Sequence, residues 1–161
     1  KVADGREVKR QYGEAMAAAA VAAADEVGAP VIVVLTKSGG TARLIAKHRP
    51  SVPVLCFTDS HKVGRQLALF RGLHPGVAAP RAGMPSFLPD SSSFVEGPEQ
   101  FAASSANAAP PEAFAVAVQE SVQHAVEMGF CRSGDNVVVV SSQPATRVTG
   151  QAFALRVAAV K

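Results

Sequence analysis

The stretch VIVVLTKSGGTARLIAKHRP, residues 31–50, decides how this chain is read. Val31 to Leu35 is a short, continuously apolar and mostly β-branched run, the pattern of a strand covered on both faces. It ends in Thr36-Lys37-Ser38-Gly39-Gly40-Thr41, which supplies three hydroxyls, a lysine and two glycines. A helical pattern follows at once. From Gly39 to His48, Ala42, Ile45 and Ala46 share one side, Arg43, Lys47 and Arg49 lie elsewhere, and Pro50 marks the end.

A strand, a glycine-containing loop and a helix in that order make two readings possible. The first turn of a helix leaves backbone N–H groups without intrahelical partners, and the helix dipole makes that end positive. Adjacent glycines admit positive φ and let a ligand approach the backbone. Thr36, Ser38 and Thr41 add hydroxyls and Lys37 adds charge, so residues 36–41 hold the components of a phosphate cradle. The other reading is that Ser38 caps the helix while the glycines make a tight turn. The dinucleotide fingerprint G-x-G-x-x-G is absent, and Lys37 precedes the glycines instead of following them as a nucleotide-hydrolase loop requires.

The unit repeats along the chain. Arg6 to Val27 is an alanine-rich helical pattern that Gly28 and Pro30 bring to a stop. Val52 to Phe57 is a second strand, Thr58, Asp59 and Ser60 offer N-caps, and His61 to Phe70 is a second helix after it. Leu73 to Val77 reads as a weaker strand interrupted by Pro75. Residues 78–111 are dominated by Ala, Pro, Ser and Gly, the composition of a flexible insertion, either regulatory or a tolerated surface expansion. Order resumes with a helix over Pro111 to Met128 and strands over Asn136 to Ser141 and Ala152 to Val160. Alternating buried strands and helices predict an α/β fold around a mainly parallel sheet, in a single domain over residues 1–161.

Composition narrows the function classes. The chain has 161 residues, 48% of them hydrophobic, which is enough for a self-sufficient core. Its net charge is +3, but the basic residues are spread out and the chain has no Trp and one Tyr, so nucleic acid is not an expected partner. No apolar run is long enough to span a membrane, so no membrane partner is expected either. The chain begins at Lys1, which suggests a fragment or processed product, and no targeting segment is visible. Cys56 and Cys131 lack metal or redox spacing and point to a reducing compartment, cytoplasmic or organellar. His48, His61, His74 and His124 show no metal-ligand spacing, so no metal site and no catalytic residue is assigned. Asp59 follows a strand but reads first as an N-cap. Arg147, in the loop before the last strand, is a candidate for a second phosphate contact.

The string AAADEVGAPVIVVLTKSGGTARLIAKHRPSVPVLCFTDSHKVGRQLALFRGLHPGVA resembles the C-terminal domain of pyruvate kinase, whose members read IVVLTKSGRTARLISKYRP and VPILAVTDNEKVARQLALYRGVYPV. The resemblance resumes after the insertion with GFCRSGDNVVVVSSQP and LRVAAV. It implies a three-layer α/β/α domain with a five-stranded, mostly parallel sheet whose last strand is antiparallel. It also implies a catalytic TIM barrel earlier in the parent enzyme, where phosphoenolpyruvate, ADP, Mg and K bind for a glycolytic phosphoryl transfer. This stretch alone is then expected to be inactive and to need no cofactor of its own.

By the same resemblance, Thr36, Lys37, Ser38, Gly39, Gly40 and Thr41 match the loop that holds a phosphate of an allosteric effector. Gly40 stands where the family has Arg, and Ala117 stands where an effector-binding arginine is expected. The last loop keeps Gly150 but departs from the family's threonines and asparagine, and Arg147 is positioned to compensate. A sugar phosphate or nucleotide monophosphate is therefore the expected effector, with the barrel and homotetramer neighbours as protein partners. The rival expectations are a purely structural oligomerisation domain and a stand-alone phosphosugar-binding protein.

Overall fold

A computed structural model describes residues 5–77, 111–144 and 151–160. Helix α1 (Gly5–Glu26) buries Ala17, Ala20 and Ala24, spaced three and four residues apart so that small side chains line one face. Its end is a Schellman turn: Ala29 N–H donates to the Ala24 carbonyl, Gly28 N–H donates to that of Asp25, and Gly28 sits at φ 61°. The glycine stop expected from the sequence is therefore the one used.

Strand β1 (Ile32–Leu35) follows, then α2 (Gly40–Lys47), β2 (Val54–Thr58), α3 (His61–Leu67) and β3 (Leu73–Val77). Helix α4 (Pro111–Glu127) and strands β4 (Asn136–Pro144) and β5 (Gln151–Ala159) complete the described chain. The sheet order is β3-β2-β1-β4-β5, with every neighbouring pair parallel except β4 and β5. Pro75 falls on β3, an edge strand, where a missing N–H donor is tolerated.

All four residues of β1 and all five of β2 are buried, as a two-faced strand requires. Alternation along the strands sends Ile32, Val34, Cys56 and Val138 against Ala20 and Ala24 of α1, Ile45 of α2 and Leu67 of α3. Val33, Leu35, Leu55 and Val139 pack on the opposite face with Ala125, Val122 and Val126 of α4. The molecule is thus the three-layer α/β/α arrangement with an antiparallel last strand. The insertion expected over residues 78–111 lies outside the described residues, apart from Pro111, which starts α4.

Order and direction place one crevice. From β1 the chain crosses to β2 and β3 on one side, and later to β4 on the other. The carboxyl ends of β1 and β4 are therefore a topological switch point, the position at which open α/β sheets take ligands. Leu35 pairs with Ser141 there, and residues 36–41 leave from it.

Candidate functional site

The backbone turns sharply after Leu35. Thr36 N–H donates to the Phe57 carbonyl at 2.9 Å and so extends the β1–β2 ladder by one residue. Its side chain is buried, and its Oγ1 accepts the Gly39 N–H at 3.0 Å, closing a three-residue turn over Lys37 and Ser38. Gly39 is the N-cap of α2 at φ 76°, ψ 1°, in the left-handed region that an L side chain rarely adopts. A Cβ there would lie 3.0 Å from Leu67 Cδ2 and 3.3 Å from Val63 Cγ1, so the loop rests directly on α3.

This geometry decides between the two readings of Ser38. The N-cap of α2 is Gly39 and no side chain caps the helix. Ser38 is exposed instead, and the hydroxyl that binds the turn is that of Thr36. The first α2 bond runs from Arg43 N–H to the Gly39 carbonyl, leaving the N–H groups of Gly40, Thr41 and Ala42 without intrahelical acceptors. Gly40 is more open than Gly39: a Cβ on it meets only Ser38 Oγ, at an ordinary 3.5 Å. Thr41 is buried at the helix start, and Lys37 is half-buried beside the turn. Of the six residues of the expected cradle, Thr36, Gly39 and Thr41 are buried at the switch point, Lys37 and Gly40 are half-buried, and Ser38 is exposed.

The second strand-to-helix connection adjoins the loop. Thr58, fully buried, accepts the Ser60 N–H at 3.3 Å and donates to the Lys37 carbonyl at 3.5 Å. Ser60, not Asp59, is the N-cap of α3, and its Oγ accepts the Val63 N–H at 3.4 Å. In the sequence Thr58 read only as one of three N-cap candidates after the strand, because the Lys37 carbonyl it meets lies 21 residues away. Ala117 is buried in α4 and offers the loop no cation. Arg147 and Gly150 lie outside the described residues; β4 and β5 deliver the chain to either side of them, at Pro144 and Gln151.

Other chemistry is sparse. Among the described residues no three His, Cys, Asp or Glu side chains converge as a metal-binding group. Cys56 and Cys131 are free buried thiols, and burial pushes the Cys56 thiol up to about 12. No helix among the described residues is long and apolar enough to cross a membrane.

Known proteins agree with this architecture. The family described as "Pyruvate kinase, alpha/beta domain" matches residues 14–158. The pyruvate kinase of Clostridium acetobutylicum is 29% identical over 153 residues, covering 95% of this chain and 26% of that protein. That of Candida albicans is 33% identical over 144 residues, covering 89% and 23%. A solved Cryptosporidium parvum pyruvate kinase in complex with ADP aligns at TM-score 0.67 and 24% identity over 92% of this chain and 24% of its own. The chain therefore spans about a quarter of the length of these relatives. A family match over residues 14–158, joined to a sheet of the same kind, makes this chain a member of the pyruvate kinase α/β domain family.

Proposed function

We propose that the chain is the regulatory C-terminal domain of a pyruvate kinase and that residues 36–41 bind a phosphate group of an allosteric effector. The observation that carries this reading is the Gly39 turn at the sheet's switch point, which starts α2 next to Lys37 and Ser38 with no side chain capping its first N–H groups. Backbone donors at a helix start suit a phosphate dianion, since donors and dipole favour the same charge. In the parent enzyme a separate barrel would transfer the phosphoryl group from phosphoenolpyruvate to ADP with Mg and K. Effector capture here would bias the tetramer toward one state, by as much as the effector's affinities for the two states differ.

Gly40 leaves the cradle without a side chain at its mouth, and buried Ala117 supplies no second cation. Both features favour an effector held by one phosphate, such as a hexose or pentose monophosphate or a nucleotide monophosphate. They also favour the rival reading, an assembly domain without a working effector site.

The test is thermal unfolding of the full-length protein with fructose 1,6-bisphosphate, glucose 6-phosphate, ribose 5-phosphate, AMP and inorganic phosphate. A ligand at a hundred times its Kd should add about 2.7 kcal/mol of stability. Ser38→Asp places a carboxylate beside the cradle from an exposed position, and should abolish that gain without unfolding the protein. If no ligand raises the Tm while the protein remains tetrameric, the assembly reading replaces the regulatory one. A reading frame that does not continue upstream into a barrel would favour a stand-alone phosphosugar-binding protein.

A further inference from the structure

We infer that Thr58 is a positioning residue for the 36–41 loop, an assignment that rests on the phosphate-binding reading of that loop. Thr58 ends β2 with no exposed surface, a place where valine would fill the same volume without a hydroxyl to satisfy. Its hydroxyl has two partners, both backbone groups, and they belong to different loops: Ser60 N–H at 3.3 Å and the Lys37 carbonyl at 3.5 Å. A buried hydroxyl accepting from one loop and donating to the other ties them together. The Lys37 carbonyl lies inside the turn that the Thr36 hydroxyl closes on Gly39 N–H. Holding that carbonyl, through a long contact of 3.5 Å, biases the peptide plane between Lys37 and Ser38, and with it the direction in which the turn delivers Gly39 and Gly40.

A second contact points the same way. Gly39 rests against Val63 and Leu67 of α3, the helix that the Thr58–Ser60 connection starts and Ser60 caps. The loop is therefore seated on the second strand–helix unit at two places, by a hydrogen bond from Thr58 and by apolar contact from α3. Removing the hydroxyl leaves the apolar seat intact and frees the Lys37 carbonyl and the Ser60 N–H, while Ser60 Oγ still caps α3 through Val63 N–H. The fold should survive while the cradle loses its alignment.

The experiment compares Thr58→Val and Thr58→Ser with wild type in the full-length protein, titrating inorganic phosphate, fructose 1,6-bisphosphate and ribose 5-phosphate by calorimetry. Hydrogen exchange of peptides covering residues 36–44 is followed by mass spectrometry without ligand. Thr58→Val should weaken phosphate-ligand binding roughly three- to tenfold, the scale of one lost hydrogen bond, and speed exchange in that peptide. Thr58→Ser keeps the hydroxyl and should stay within about twofold of wild type. Wild-type affinity in Thr58→Val overturns the assignment, as does a loss in Thr58→Ser equal to that in Thr58→Val. Wild type that binds none of the three ligands overturns the phosphate-loop reading and this assignment with it. Wild-type binding thus separates failure of the tie from failure of the site.

Discussion

Gly39 and Gly40 are adjacent and chemically identical, yet the structure gives them opposite roles. Gly39 combines positive φ with a close approach to α3, where a Cβ would lie 3.0 Å from Leu67 Cδ2, so an added methyl meets both backbone strain and a packed side chain. Gly39→Ala should cost about 1–3 kcal/mol, from left-handed strain and overpacking together. Gly40 lies outside the left-handed region and opens onto Ser38 Oγ at 3.5 Å. Gly40→Ala should therefore stabilise the fold by about 0.4–1 kcal/mol, chiefly by restricting the unfolded chain. Urea unfolding of the two variants checks both signs, and equal effects would contradict the geometry. The glycine pair was legible in the sequence, but this division of labour was not, because only the folded chain brings Leu67 beneath residue 39. For the same reason the cap reading of Ser38 stood open beside the cradle reading: the hydroxyl that binds the turn belongs to Thr36, two residues earlier, and its acceptor role depends on the path of the loop.

Helices α1 and α2 are joined by a small ionic cluster at the carboxyl end of α2. Glu14 Oε1 lies 2.6 Å from Lys47 Nζ, and its Oε2 lies 3.4 Å from His48 Nε2. The Lys47 hydrogen bond, with a smaller contribution from His48, holds the Glu14 carboxyl below its usual value of 4.5. A lowered acid contributes stability above its unfolded value and loses it as pH falls through the folded one. Wild type should thus lose Tm more steeply than Glu14→Gln below about pH 4.5, with the curves running parallel above it. Parallel curves throughout would mean that solvent screens the pair completely. Helix α3 depends on a different terminus: Ser60→Ala removes a side-chain cap bond, to Val63 N–H, and should cost about 1 kcal/mol in chemical unfolding. Elements with a strong apolar period were legible before the structure. The apolar runs at 31–35 and 52–57 announced β1 and β2, and Leu73–Val77 was found despite Pro75. Polar ends were not. Strand β4 continues through Ser142, Gln143 and Pro144 because β5 pairs with them, and α3 stops at Leu67, ahead of the expected Phe70.

At the scale of the whole molecule, β1 links the two cores. Its residues alternate between the α1–α3 layer and the α4 layer, so neither face can open without exposing the other. Ile32 pairs with Val54 on one side and Val138 on the other, which makes the centre of the sheet the last part to separate. Cys56 reports on that event. It is fully buried one strand from the centre, its thiol 3.7 Å from the Val54 carbonyl, and burial pushes its pKa up to about 12. Since only thiolate is alkylated, native Cys56 is protected twice, by access and by protonation. Iodoacetamide at pH 8, with peptide mass spectrometry separating Cys56 from Cys131, should leave Cys56 unmodified in the native protein. Its modification rate should rise with urea in step with the global unfolding constant, and Ile32→Ala, costing about 2–5 kcal/mol, should raise it by the matching factor. A Cys56 rate that ignores low urea and Ile32→Ala would show that β2 opens locally, and that the two layers do not unfold as one cooperative unit.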